Sequence, residues 1–472
     1  MNNSSTFLGS SVYENFYNIL LVIAVPAFIF ALLMALIKEP KYRKWIRRKK
    51  KEHQILRKTW RKHPVGIIFG KDMLGRTVYS PLDSEPPQIG VFAPTGGGKT
   101  WSVLLMTLNS LANHIGGFIP DISGDIAPNI HADNVLVYAP ENPETLKYNV
   151  FGVIDKESSD RDKSRMLEEL ALIFFPDREF KNGSERFFYE GGRDILIAAL
   201  TAFYFQGLDF PEICRKIKYT DYNALFSEIA GMENDKATGL LSQFRNQKES
   251  DIGGCMGQAA NAISLFANED YLNKGNFGRS SRGETCVTAD DINDKFVVLF
   301  IPRKMRDVYA PLNKLITKQV MQVADSRTIG QKPYCLIALD ELSTLLKGSA
   351  SVEDQLISSM QNIRKLNGRI IYLTQSIKDI DVYAGTGKRE IIIDNTGFIV
   401  AMGAFDPDTK HFFAELVGKE TLLHDGIEHQ QYRLYPDDFS DLPDDKFYLI
   451  WRGGYMKLKK TFFFKEQIYV NR

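Results

Sequence analysis

Residues 90–100 read GVFAPTGGGKT. Within them, residues 93–100 fit the pattern [AG]-x-x-x-x-G-K-[ST], with Ala93 in the first glycine slot and Pro94 and Thr95 leading into the glycines. Gly96, Gly97 and Gly98 allow backbone N–H groups to turn inward around phosphate oxygens, where side chains would obstruct them. Lys99 brings a point charge to the β- and γ-phosphates. Thr100 offers a hydroxyl to Mg²⁺ and opens a helix whose N-terminus favours anions. The flanks agree: IGVFA has the character of a buried strand, and WSVLLMTLNSLAN that of an apolar helix. The loop therefore predicts a site for ATP and Mg²⁺, with residues 93–100 as its cradle.

A phosphate cradle needs a metal-side carboxylate from another strand. Residues 334–341, YCLIALDE, supply a run of buried-type residues ending in Asp340 and Glu341. This is expected of a central parallel strand that delivers acids at its C-terminal edge. Asp340 is placed on Mg²⁺ and Glu341 on the attacking water. The next strand, RIIYLTQS, ends in Gln375, a neutral sensor of the γ-phosphate. Arg364 lies eleven residues before it and is a candidate for stabilising a neighbouring subunit's transition-state charge. The catalytic set read from the residues is thus Lys99, Glu341, Gln375 and Arg364. Asp121 is either a weaker candidate or a cap.

The chain has 472 residues, 44% hydrophobic and 25% charged, enough for two or three domains. Cys214, Cys255, Cys286 and Cys335 are far apart, which favours reduced thiols over a disulfide framework or a zinc site. The histidines lack metal-ligand spacing. The net charge of +1 combines −1 over residues 1–37, +11 over residues 38–62 and −9 over the remainder. A strongly basic nucleic-acid-binding body is excluded, so any DNA contact must be local. Residues 19–37, ILLVIAVPAFIFALLMALI, form a nineteen-residue apolar run, enough to cross a bilayer. The basic flank that follows assigns the body to the cytoplasmic side of a single-pass anchor. The absence of positive charge before the run argues against a signal peptide. Residues 47–62 have helical spacing, and domain structure begins near residue 66.

Taken in order, these pieces resemble the type IV secretion coupling proteins, the TraG/TraD-type ATPases of conjugation. The likeness runs from residue 66 to the C-terminus through PTGGGKT, GGFIPDISGD, KYNVFG, FVVLFIPRKM, LIALDEL, RKLNGRIIYLTQS and FAELVGKETL. It implies an α/β fold: a RecA-like P-loop NTPase domain (residues 66–156 and 286–472), an inserted all-α domain (157–285) and an N-terminal transmembrane helix (16–37). Residues 1–15 would lie outside the cytoplasm and residues 38–65 would form a juxtamembrane segment. Lys99 and Asp340 lie 241 residues apart, and the helical patterns between them, such as SERFFYEGGRDILIAALTAFYFQ, agree with the insertion.

The resemblance further implies a homohexamer in the bacterial inner membrane. It would engage single-stranded DNA or a relaxase–DNA complex together with inner-membrane secretion components. Three departures stand out: one membrane helix rather than two, DISGD at 121–125 where D-x-K-G-E is usual, and nucleotide-domain strands up to the last residues. The readings weighed against it are a FtsK- or HerA-like DNA pump and a nucleotide-dependent receptor for protein effectors that pumps no DNA.

Overall fold

The computed structural model describes residues 55–466, apart from residues 62–63, 82–87, 270–271, 273–275, 280–284, 347–349, 425–426 and 453. The chain divides into two compact units, Met1–Arg57 and Lys58–Arg472. Nearly all of the first lies outside the described residues, including the apolar run at 19–37 and most of its basic flank. The helical spacing read over residues 47–62 does not extend to its end: Arg57–Thr59 is a short strand at the sheet's edge, where the extended backbone finds partners.

The second unit is organised by one large mixed sheet. Its main strands are β1 (Gly66–Lys71), β2 (Thr77–Pro81), β3 (Gln88–Phe92), β4 (Gly116–Asp121), β5 (Val135–Tyr138), β6 (Phe296–Phe300), β7 (Cys335–Leu339), β8 (Gly368–Thr374), β9 (Thr396–Ala401), β10 (Lys446–Trp451) and β11 (Gly454–Lys459). They lie in the order β2-β1-β11-β10-β9-β3-β8-β7-β4-β6-β5. From β9 to β5 every pairing is parallel. From β9 back to β2 every pairing is antiparallel. Strands β3, β7 and β8 are buried along their whole length. Their continuous apolar runs, rather than alternating ones, reflect coverage on both faces.

Between β5 and β6 the chain is mostly helical. Several helices start where a side chain satisfies a free N–H: Ser159 accepts from Asp162, Asn182 from Glu185 and Asn234 from Ala237. Asp209 and Glu212 form a reciprocal capping box. The 23-residue helix Gly183–Phe205 is the spine. Among the described residues no helix is long and apolar enough to cross a membrane.

Aromatic rings link these helices to the sheet. Phe210 meets Phe266 at 5.1 Å, Phe266 meets Phe277 at 5.5 Å, and Phe277 stacks on Tyr148 at 5.9 Å. Tyr148 in turn reaches Tyr138 of β5. Arg279 closes the neck, ion-paired to Asp155 at 2.9 Å and held between the rings of Phe151 and Tyr204. No disulfide joins the four cysteines, and burial pushes the Cys335 thiol up to about 12.

The spine helix packs against Glu249–Ala262 through glycine. A Cβ at Gly192 would lie 2.8 Å from Gln258 Cβ and 3.1 Å from the Ala259 backbone nitrogen. Gly192→Val is therefore expected to destabilise the fold by about 1–3 kcal/mol, lowering the midpoint of thermal or urea unfolding. An unchanged midpoint would mean that the two helices separate at no cost.

Candidate nucleotide site

Strand β3 ends at Phe92, and the chain then turns sharply. Ala93 is fully buried, and its N–H donates to the Thr374 carbonyl at the end of β8 (3.2 Å), so the loop begins anchored to its neighbouring strand. Gly96 and Gly98 have φ of 77° and 84°, the left-handed region that glycine enters without strain. Residues Thr100–Leu104 form a widened π-type turn before the α-helix Leu105–Leu111 continues. The Ser102 hydroxyl donates to the Gly98 carbonyl at 2.7 Å and fixes the loop to the helix.

The parallel register sets three strand ends side by side. Phe92 pairs with Thr374, and Leu339 pairs with Tyr372. Thr100 and Asp340, 240 residues apart, consequently touch: Thr100 Oγ1 donates to Asp340 Oδ1 at 2.9 Å. Thr95 Oγ1 donates to Gln375 Oε1 at 3.1 Å, bringing the tip of β8 onto the loop. Lys99 lies in the same cluster, its Nζ donating to the Ala93 carbonyl at 2.7 Å. Glu341 follows Asp340 and is ion-paired to Arg306 at 3.3 Å.

Electrostatics mark this cluster. Burial pushes the Asp340 carboxyl up to about 6. The Thr100 hydroxyl pulls it back, the Asp121 charge raises it further, and Ser123 and Lys99 lower it. Burial draws the Lys99 ammonium below lysine's ordinary value, opposed by Asp340, Glu341 and Asp379. A hydroxyl and a carboxylate in hydrogen-bond contact beneath an anion-cradling loop are hard oxygen donors, and that set suits Mg²⁺.

Asp121 is fully buried and is satisfied by its own turn. Its carboxylate accepts from the Ser123 hydroxyl and from the N–H groups of Gly124, Ile126 and Ala127. It acts as a cap and reaches the site only through its charge on Asp340. Asp125 is exposed. Arg364 is not brought to the loop. It is exposed and precedes β8, whereas Gln375 follows that strand, and seven extended residues span about 23 Å. There it lines a cavity of about 570 Å³ with Lys365, Asp394 and Arg452.

Three residues in or beside the site escaped the sequence reading. Arg306 pairs with Glu341. Asp379 caps the helix Ile377–Ala384 and accepts from the Gln375 N–H at 3.1 Å. Lys460, just past β11, is buried and donates to the Gly97 carbonyl at 2.8 Å. Only Arg306 left a signal, as the first residue after FVVLFIPRKM at a strand's end.

Asp340 generates a stability prediction. A carboxyl raised from about 3.9 to about 6 on folding favours the native state below pH 4 and loses that contribution as pH rises through 6. Metal-free Asp340→Asn, which keeps an acceptor for Thr100, is expected to exceed the parent's stability above pH 6 by roughly 2–3 kcal/mol. The gap should close between pH 6 and 4, read by thermal unfolding in EDTA. A gap independent of pH would mean that the carboxylate is well solvated.

Comparisons with known proteins give the chain a family and its fold solved counterparts. The family model described as Type IV secretory system Conjugative DNA transfer matches residues 36–438. No curated protein sequence matches the chain. Among solved structures, the fold is similar to plasmid coupling protein TrwB in complex with the non-hydrolysable GTP analogue GDPNP. That likeness has a TM-score of 0.64 and 20% identity, over 81% of this chain and 88% of that one. TrwB in complex with ADP and Mg²⁺ gives a TM-score of 0.64 and 19% identity, over 84% and 89%. VirB4 of Thermoanaerobacter pseudethanolicus gives 0.51 and 14%, over 85% and 97%. With the family model matching residues 36–438, and with β3, β7 and β8 bringing residues 93–100, 340–341 and 375 to one edge of the sheet, the chain belongs to the type IV secretory system conjugative DNA transfer family.

Proposed function

We propose that this chain is a membrane-anchored ATPase that couples ATP hydrolysis to moving DNA, or a relaxase–DNA complex, into a type IV secretion channel. The observation that carries the hydrolytic reading is the contact between Thr100 and Asp340, with Glu341 beside it, across 240 residues of sequence. Lys99 and the N–H groups of residues 96–100 hold the phosphates. Thr100 and Asp340 would hold Mg²⁺, which would neutralise phosphate charge when bound. Glu341 orients and deprotonates the attacking water, and its ion pair with Arg306 keeps its carboxylate aimed until substrate arrives. Gln375, already bonded to Thr95 of the loop, reports the γ-phosphate to the helix Ile377–Ala384.

Arg364 lies at the opposite edge of the sheet from its own phosphate loop, so its role is assigned in trans, at the nucleotide of the next copy in a homohexamer. The apolar run at 19–37 and its basic flank support a single-pass anchor in the bacterial inner membrane. Residues 66–156 and 286–472 are assigned to the nucleotide-binding domain, and residues 157–285 to an all-α domain. The short parallel pair Lys147–Tyr148 and Cys286–Val287, which brings the two ends of the helical segment together, supports that boundary. Because residues 63–472 are net acidic, DNA is gripped locally, where a few cations from each copy converge on an axis.

Two measurements test this with the full chain in liposomes. Glu341→Gln is expected to bind ATP with near-parental affinity while its hydrolysis falls about 100-fold or more and DNA transfer stops. Normal transfer by that variant would instead favour a receptor whose nucleotide only sets its shape. Mixing Arg364→Ala with Lys99→Ala chains should restore part of the ATPase activity that each lacks alone, because some interfaces then hold both intact residues. Verified mixed rings that remain inactive would remove Arg364 from the site.

A further inference from the structure

The chain returns to the phosphate loop after β11, and what it brings there is aromatic. Lys460, 8% exposed, donates from its ammonium to the Gly97 carbonyl. Its own N–H donates to the Asp445 carbonyl at 2.7 Å. Two residues on, the Phe462 ring lies against Gly98: a Cβ there would stand 3.2 Å from the ring. Phe464 stacks on Phe462 with centroids 5.5 Å apart and planes 26° from parallel. It also meets Trp101, the residue after Thr100, edge-on at 5.8 Å. Phe464 is 54% exposed, so one face of this ring cluster is open.

The sheet order states which end of a nucleotide this cluster faces. The γ-phosphate chemistry of Gln375, Asp340 and Glu341 comes from β8 and β7, on one flank of β3. Residues 460–464 arrive from β11 by way of β10 and β9, on the other flank. A triphosphate lying along the loop with its terminal phosphoryl group toward Asp340 must direct its nucleoside toward Trp101 and residues 462–464. A cluster of ring faces there offers the partner that a flat, hydrophobic heterocycle prefers.

We infer that the segment following β11 is the nucleobase wall of the site, with the exposed face of Phe464 receiving the base by stacking and Phe462 and Trp101 backing it. The inference rests on the ATPase reading. Lys460 has a positioning role: bonded to Gly97, it couples the wall to the loop that holds the phosphates. The ion pair from Lys71 of β1 to Glu466 anchors the far end of the segment. A stacking surface reads the face of a ring and not its edge, so adenine and guanine are accepted alike.

The test uses the full chain in detergent and measures the binding of ATP, GTP and inorganic tripolyphosphate by titration calorimetry. Phe464→Ala is expected to weaken ATP and GTP about tenfold each while leaving tripolyphosphate unchanged. Phe464→Tyr, which keeps the ring, should bind all three as the parent does. Thermal unfolding of both variants checks that the half-exposed position does not alter folding. Equal weakening of ATP and tripolyphosphate, or no weakening of either, would overturn the wall while leaving the ATPase reading standing. A parent chain that binds none of the three would remove both.

Discussion

The parallel pairing of β3 with β8, and of β8 with β7, is the constraint from which the site follows. Parallel neighbours end at the same edge, so the residues that follow Phe92, Leu339 and Thr374 are brought together however long the chain between them. The 240 residues from Thr100 to Asp340 can therefore carry a large helical segment without disturbing the 2.9 Å contact between them. Insertion length is tolerated because the segment leaves and re-enters at the β5–β6 side, where Lys147–Tyr148 and Cys286–Val287 tie its ends. The closing entropy is met by that neck and by the aromatic path from Phe210 to Tyr138, rather than by the catalytic edge.

A site assembled this way concentrates charge where water is scarce. Lys99 feels the charges of Asp340, Glu341 and Asp379, and burial weakens the ionisation of both Lys99 and Asp340. Buried groups of opposite sign, each held off its preferred ionisation, are poised for a polyanion and a dication to complete the balance. Arg306 and Lys460 extend the pattern outward, one on the Glu341 carboxylate and one on a loop carbonyl. In contrast, the Asp121 carboxylate is fully employed by its own turn, with four donors around it. Its effect on the site is to make Asp340 harder to ionise.

Much of this was legible in the residues, for reasons that also explain what was not. Loop 93–100 is a local device: its conformation and its ligand are encoded in eight consecutive residues. Asp340 and Glu341 could be read because a strand buried on both faces is apolar throughout, so the first charge after it marks the strand's end. Lys460 was hidden because its partner lies 363 residues away and its surroundings, MKLKK, have the pattern of a surface strand. Asp121 looked ambiguous because a strand-end acid can cap or catalyse, and only the positions of its donors separate the two. Residues 57–59 were misread as helical because periodicity there carries less weight than a sheet edge offering hydrogen bonds.

The mixed character of the sheet also divides labour across β3. Its parallel half ends in groups suited to a phosphoryl group: the carboxylates of Asp340 and Glu341, the amide of Gln375, and the arginine paired with Glu341. Its antiparallel half cannot supply such ends, because antiparallel neighbours alternate their termini and leave no common acid-bearing edge. What it can do is send the chain back past the loop once, after its last strand, and that single pass carries Lys460 and the aromatic residues at 462–464. The two ends of a nucleotide are thus met by segments that differ in chemistry because they differ in strand direction. Lys460 joins the two halves at Gly97, so the loop is held from both sides of β3.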